Sequence, residues 1–257
     1  MSKLERALSE EVPLRLVILA GWSYWLYQLA AGGNLRYYVH PRFGTPVLLA
    51  ALCLALLALH QLATLMGFRW QGWQLMPRAK VISYIIVILP LCCGLLLPAT
   101  SLDGRLAEQR GNLTSHLHAE DDERAVGELE ALLVSSSEQE RISAQQFRHL
   151  ATLLWSRPQG VIGRSVQLTG FVYYNEGLLP GQFMLGRYQI SCCTADAVVV
   201  SCLCHCPAGD KPPASGWVTV SGTLGMGEYQ AQPVGVIAVS DLLAVDEPQD
   251  PYIYVGG

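Results

Sequence analysis

The chain has 257 residues, of which 51% are hydrophobic and 15% are charged, and its mean hydropathy is +0.29. This apolar fraction is higher, and the charged fraction lower, than in ordinary globular domains, which indicates a membrane protein with a domain outside the lipid. The formal net charge of −4 argues against nucleic acid as a partner, because neutralising phosphates requires clustered Lys and Arg.

Three apolar segments in the first hundred residues are predicted to be transmembrane helices, at about residues 16–33, 47–66 and 81–99. The second and third have the roughly 20 uncharged residues that are needed to cross about 30 Å of hydrocarbon. The first reaches that length only with its flanks, but it carries tryptophans and tyrosines typical of a membrane interface. We therefore assign residues 1–100 to a transmembrane domain in the lipid bilayer.

Basic residues on the two sides of these segments indicate an orientation. Six lie on the side of the N-terminus and four on the opposite side: Lys3, Arg6, Arg15, Arg69, Arg78 and Lys80 against Arg36, Arg42, Arg105 and Arg110. Because cytoplasmic loops are enriched in Lys and Arg, this count predicts a cytoplasmic N-terminus. Three crossings would then place the C-terminal domain outside the cytoplasm, in a multi-pass protein of the plasma (inner) membrane.

Residues 101–158 are predicted to form a linker and two short helices. Residues 101–124 contain glycines and an acidic run, which are typical of an exposed linker, and a first helix is predicted over residues 123–135. The second helix is predicted to begin at Ser143, because Ser143 and Gln146 have the spacing of a capping box, and to end before Pro158. Its apolar residues recur at helical spacing, so we expect one face to pack on the following domain.

Residues 159–257 are predicted to fold as a small OB-like β-barrel, with a β-sandwich as the alternative. Five segments have the composition of strands and are separated by turn-rich stretches. They are residues 165–173, 182–192, 197–204, 217–224 and 234–243. Five short strands at this spacing are typical of a small barrel. The predicted fold class is therefore an α+β membrane protein with three N-terminal helices, a short helical linker and a C-terminal barrel.

Five of the eight cysteines lie within fifteen residues of this domain, with a histidine and an aspartate close by. The candidate metal ligands are Cys192, Cys193, Asp196, Cys202, Cys204, His205 and Cys206. Thiolate, imidazole and carboxylate are ligands for a soft or borderline metal such as zinc. Alternate residues of a strand share a face, so the thiols of Cys202, Cys204 and Cys206 are predicted to lie together. If Cys192 and Cys193 lie on a neighbouring strand about 4.8 Å away, both groups can converge on one ion.

The same cysteines are compatible with two other kinds of chemistry. Disulfides are favoured outside the cytoplasm, and an odd number of five leaves at least one thiol unpaired if all bonds are internal. A thiol-exchange site is the third interpretation, although the cluster has no C-x-x-C motif. Metal ligation, disulfides and thiol exchange therefore all remain open at this point.

Several short segments form a recognisable pattern along nearly the whole chain. They are residues 37–43 (YYVHPRF), 168–172 (LTGFV), 190–197 (ISCCTADA), 216–222 (GWVTVSG) and 251–254 (PYIY). This pattern resembles the YcgQ-like family of bacterial membrane proteins, and Cys-Cys-x-Ala-Asp-Ala is its most specific part. The family pattern covers Cys192, Cys193 and Asp196, and the four other candidate ligands are additional to it.

Members of that family are usually described as subunits of a two-component permease, and some are associated with zinc-responsive regulation. The resemblance therefore implies an accessory membrane subunit whose partner is a larger polytopic permease, with an extracytoplasmic cysteine-rich domain that binds or hands over a metal ion such as zinc. The alternative is a membrane-anchored extracytoplasmic thiol-redox or metal-delivery protein that acts without a permease. We find no P-loop, no G-x-S-x-G and no H-E-x-x-H motif, so a non-enzymatic role is predicted.

Overall fold

The structure of the protein is a computed structural model, in which contacts divide the chain into two units. The units are Met1–Thr100 and Ser101–Gly257. The residues that the structure describes are 12–67, 78–97, 101–102, 104–110, 123–136, 138–206 and 214–255. The first unit is helical, and the second combines helices with a β-barrel.

Helices and short 3₁₀ turns make up the described part of the first unit. In chain order they are α1 (Val12–Ala31), two 3₁₀ turns (Asn34–Tyr37 and Pro41–Phe43), α2 (Gly44–Gly67) and α3 (Arg78–Leu96). Helix α1 contacts both of its neighbours. Ser23 Oγ of α1 donates a hydrogen bond to the Ala51 carbonyl oxygen of α2 at 2.8 Å. Gly94 of α3 faces Trp25 of α1, where a Cβ at the glycine would come within 2.5 Å of the indole ring.

The prediction of three transmembrane helices is wrong. Among the described residues, one helical segment, Pro41–Met66, is long and apolar enough to cross a membrane. The apolar helix within α3, Ile82–Leu96, is too short among the described residues to meet this requirement. Helix α1 does not qualify either, because polar and interfacial residues such as Arg15 and Gln28 lower its hydropathy.

The predicted orientation depended on three crossings and does not follow from a single one. One qualifying helix among the described residues leaves the orientation without support. The multi-pass topology is therefore corrected, and the side of the membrane on which the barrel lies stays a prediction.

The second unit contains three helices and seven strands among its described residues. They are α4 (Gly104–Arg110), α5 (Glu123–Ser135), β1 (Glu140–Arg141), α6 (Ala144–Ser156), β2 (Ser165–Tyr173), β3 (Gln182–Ile190), β4 (Val198–His205), β5 (Gly216–Tyr229), β6 (Gln232–Val245) and β7 (Tyr252–Tyr254). Two further 3₁₀ turns cover Pro158–Val161 and Thr194–Asp196.

Strands β2 to β6 close into the predicted five-stranded barrel. Strand β2 pairs with both β3 and β5, and antiparallel pairs also join β3 to β4 and β5 to β6. The parallel pair of β4 with β6 completes the ring. The order β2-β3-β4-β6-β5, returning to β2, is that of an OB-type barrel. Strands β1 and β7 extend the sheet in parallel beside β2 and β3.

Helices α5 and α6 share one buried core with the barrel strands. Helix α6 begins at the predicted capping box, in which Ser143 N donates to Gln146 Oε1 at 3.0 Å and Gln146 N donates to Ser143 Oγ at 3.3 Å. Phe147 and Leu150 of α6 are fully buried with strand residues in this core. The expectation that this helix packs one face on the barrel is confirmed.

The described part of the predicted exposed linker is instead packed on the barrel. Ala107 of α4 is completely buried, and the Leu102 backbone N–H donates to the Tyr252 hydroxyl at 3.0 Å. Gly104 allows the approach, because a Cβ there would lie 2.6 Å from the Val172 carbonyl oxygen. Gly104 and Ala107 are therefore buried and not exposed as predicted, whereas residues 111–122 lie outside the described residues.

The packing of α6 on β6 depends on a glycine. A Cβ at Gly235 would lie 2.6–2.9 Å from three atoms of Leu154, two of them backbone atoms. We expect Gly235→Ala to lower the free energy of unfolding by about 1–3 kcal/mol, because the helix backbone has to move. Gly127→Ala in α5 is the matched control, since nothing lies within 4 Å of the added Cβ, and alanine should stabilise this helix by up to about 1 kcal/mol. Urea denaturation compares the two variants, and a Gly235→Ala protein as stable as the wild type would contradict the close packing.

Candidate metal site

Cys192, Cys193 and Asp196 lie together in the loop between β3 and β4. Their ligand atoms, two Sγ atoms and a carboxylate oxygen, all lie within 4.8 Å of one another. Within the part of the chain that the structure describes, no other group of three His, Cys, Asp or Glu residues meets this criterion. Cys192 is exposed and Cys193 and Asp196 are half-buried, so an ion could reach the cluster from solvent.

The distance between the two thiols suits a chelated ion. The Sγ atoms of Cys192 and Cys193 are 3.6 Å apart. Two sulfurs at ~2.3 Å from a tetrahedral zinc ion are separated by about 3.8 Å, whereas a linear S–metal–S arrangement with similar bonds requires about 4.6 Å. The observed spacing therefore fits bent, tetrahedral coordination better than linear coordination.

The Asp196 carboxylate fixes the backbone that carries both cysteines. Its Oδ2 atom accepts the backbone N–H of Cys192 at 2.6 Å and that of Cys193 at 3.3 Å. Its Oδ1 atom accepts the Ser191 N–H at 3.1 Å. The Asp196 N–H in turn donates to the Cys193 carbonyl oxygen at 3.0 Å, which closes the 3₁₀ turn. Three consecutive backbone N–H groups thus donate to one side chain, and these hydrogen bonds stabilise the turn.

The same contacts shift the ionisation of the cluster. A hydrogen bond with the Asp196 carboxylate, followed by one with Cys193, raises the pKa of the Cys192 thiol to about 11. Partial burial would raise the pKa of Asp196, but its hydrogen bonds with Cys192 and the backbone outweigh burial and lower that pKa. At neutral pH the carboxylate is therefore charged and the Cys192 thiol keeps its proton.

The other cysteines among the predicted ligands lie in the barrel core. Cys202, Cys204 and Cys206 are all buried in one cluster with apolar residues of the strands and helices, as the alternation of β4 predicts. Burial raises the pKa of Cys202 and Cys204, which disfavours the thiolate form that binds metal. In this environment the two thiols pack as small apolar side chains.

The structure does not bring the seven predicted ligands together. Strand β3 ends at Ile190, so the Cys192-Cys193 pair follows the strand and is not opposite the β4 cysteines. Cys202 is instead paired with Leu185, and His205, which is exposed, is paired with Gln182 at the far end of the hairpin. At ~3.3 Å per residue, His205 lies roughly 20 Å along the sheet from the loop. Among the described residues, which include all eight cysteines, none forms a disulfide.

Two family models match the chain and together cover most of it. The DUF1980 N-terminal domain matches residues 14–113, and the DUF1980 C-terminal domain matches residues 118–255. The chain belongs to the DUF1980 family. The C-terminal DUF1980 domain contains the barrel and the whole cluster of Cys192, Cys193 and Asp196.

Two relatives of this DUF1980 chain match it over almost their full length. The UPF0703 protein YcgQ of Bacillus subtilis (strain 168) is 22% identical over 282 residues, which cover 94% of this chain and 99% of the relative. A protein of Streptococcus mutans serotype c (strain ATCC 700610 / UA159) is 26% identical over 272 residues, which cover 94% and 98%. Its name is "Putative two-component membrane permease complex subunit", which describes a subunit and not an enzyme. The predicted resemblance to the YcgQ-like family is confirmed.

Replacing the Asp196 carboxylate should lower the pKa of the Cys192 thiol and make this thiol more reactive. A thiol with a pKa of about 11 has about 100-fold less thiolate at pH 8 than one at the ordinary value of 9.0. We therefore expect Asp196→Asn to speed the alkylation of Cys192 by iodoacetamide by up to about 100-fold. Peptide mass spectrometry at timed intervals measures this rate, and Thr194→Ala in the same turn is the control. An unchanged rate in Asp196→Asn would show that the carboxylate does not hold the thiol proton.

Proposed function

We propose that this DUF1980 protein is an accessory subunit of a membrane permease complex, which binds a metal ion such as zinc on its C-terminal barrel. The observation that carries the metal-binding part is the solvent-accessible cluster of Cys192, Cys193 and Asp196, whose ligand atoms lie within 4.8 Å of one another. The subunit role is supported by the relative from Streptococcus mutans, whose name describes a membrane permease complex subunit. In this proposal the helical unit provides the membrane contact and the barrel provides the ion contact.

The surface of helix α2 supports membrane association. Only 11% of its most apolar part is buried inside the protein, whereas the core helix of a globular protein is mostly buried. Leu52, Leu56 and Leu59 are each more than half exposed. A contiguous apolar surface of this kind requires cover by lipid or by another membrane protein. A bilayer and a polytopic permease are the two partners that fit it.

The chemistry of the cluster supports a borderline divalent ion. Two thiols and one carboxylate combine soft and hard ligands, which is the mixture that zinc accepts. The 3.6 Å separation of the sulfurs is also close to the spacing at a tetrahedral zinc ion. Binding would release thiol protons, because only thiolates ligate.

A second candidate function is thiol-redox or metal-delivery chemistry without a permease. The observation that favours it is the solvent exposure of Cys192 next to the half-buried Cys193, since an accessible dithiol can exchange with a disulfide of another molecule, which is reduced as the dithiol is oxidised. The two functions differ in the need for a partner and in the state of the thiols after purification. Both differences are measurable.

Metal content tests the first part of the proposal. Full-length protein, purified in mild detergent with reduced thiols, should bind stoichiometric zinc and lose it in the Cys192→Ser, Cys193→Ser double variant. The Cys92→Ser, Cys93→Ser double variant is the matched control, because it removes the other adjacent cysteine pair, in α3, and should keep its zinc. Elemental analysis after gel filtration gives the ratio. Zinc retained without Cys192 and Cys193, or absent from the wild type, would contradict the proposed metal site.

Co-purification tests the second part. Affinity purification of the tagged chain from native membranes should recover a polytopic membrane protein in comparable amount, because the exposed face of α2 requires a partner or lipid. Quantitative mass spectrometry identifies the partner and its ratio to the chain. Recovery of this chain alone, in several mild detergents, would favour the independently acting protein.

A further inference from the structure

We propose that the metal bound by Cys192 and Cys193 has the Asp196 carboxylate as its third ligand from the described residues, and that its fourth position is open to a ligand from outside the chain. This inference rests on the proposed metal binding and specifies its coordination. Structural zinc sites have four protein ligands, whereas sites that exchange a ligand keep one position open. The arrangement is therefore that of a site at which the bound ion keeps one exchangeable ligand.

The position of the Cys192 thiol shows where the ion would lie. Its sulfur donates a hydrogen bond to Cys193 Sγ at 3.6 Å, and both sulfurs lie within 4.8 Å of an Asp196 carboxylate oxygen. A divalent cation at the centre of these three atoms would meet two sulfurs and one oxygen.

The hydrogen bonds of the Asp196 carboxylate leave one acceptor position with which it can ligate a metal ion. An ionised carboxylate offers about four acceptor positions on its two oxygens. Three are used by the backbone N–H groups of residues 191–193, at 2.6–3.3 Å. The ion would take the remaining position. One carboxylate can therefore fix the loop and ligate at the same time.

The described residues supply no fourth ligand to this cluster. The group of close ligand atoms has three members, and the buried β4 cysteines and His205 lie elsewhere along the hairpin. Two thiolates and one carboxylate carry three negative charges, so a bound divalent ion leaves the cluster with one. A neutral donor, such as water or the imidazole of another protein, is therefore the class of ligand that the fourth position favours.

Cobalt(II), a coloured substitute for zinc, tests this geometry in the full-length protein. The wild type should show a sulfur-to-cobalt charge-transfer band and visible d–d bands. Added imidazole should shift the d–d bands in a saturable way while the charge-transfer band remains, because imidazole enters the fourth position without displacing the sulfurs. The Asp196→Asn variant should keep the charge-transfer band but bind cobalt at least about tenfold more weakly.

The outcomes separate this inference from the proposed function. A charge-transfer band whose accompanying d–d bands do not respond to imidazole would mean four protein ligands and would overturn the open position. An Asp196→Asn variant with wild-type affinity would overturn the carboxylate as a ligand. Absence of any charge-transfer band in the wild type would instead overturn the proposed metal binding itself, and this inference with it. Thr194→Ala, in the same turn, should behave as the wild type throughout.

Discussion

The candidate site depends on the capture of three consecutive backbone N–H groups by one carboxylate. Asp196 accepts hydrogen bonds from Ser191, Cys192 and Cys193, and this holds the chain in a tight turn directly after β3. Hydrogen bonds to a charged acceptor are stronger than neutral ones, so the turn keeps its shape although it is exposed. Because two cysteines occupy that turn, their sulfurs are held 3.6 Å apart. Without these hydrogen bonds to the carboxylate, the backbone would not be fixed in the turn that places both sulfurs on the same side.

The barrel explains why the remaining cysteines belong to a different environment. Strands β2 to β6 form a closed barrel, so alternate residues of each strand point into its interior. Cys202 and Cys204 are on the enclosed side of β4, where thiols are protonated and packed, and His205 is on the other side. Cysteines that are close in sequence therefore have two different roles, one in the core and one in the loop.

Local patterns in the sequence predicted local structure well. Three features were predicted from the spacing of residues close together in sequence, and all three are present. They are the capping box at Ser143, the apolar face of α6 and the five barrel strands. The family was identified from short segments that include the Cys-Cys-x-Ala-Asp-Ala element. The same element contains the signal for the turn, since Asp196 stands three residues after Cys193, the spacing at which a side chain caps a short helix. The prediction treated Asp196 as a ligand or as a residue that orients one, and did not anticipate its hydrogen bonds with three backbone N–H groups.

The errors have long-range causes. The seven candidate ligands were predicted to lie together because the end of β3 at Ile190 depends on the pairing of β3 with β4, which spacing alone does not reveal. The linker was predicted to be exposed because only the folded barrel shows that Gly104 and Ala107 face a surface. Three spans were predicted from apolar segments, although Arg15 and Gln28 lie within helix α1.

The central claim is that the ion site consists of the loop residues Cys192, Cys193 and Asp196 and excludes the cysteines of the core. X-ray absorption at the zinc edge of the loaded full-length protein counts the sulfur ligands directly. The account predicts two sulfurs at about 2.3 Å and two lighter ligands at about 2.0–2.2 Å. Three or four sulfurs would mean that cysteines of β4 reach the ion, which would contradict both the separation of the two groups and the site described above.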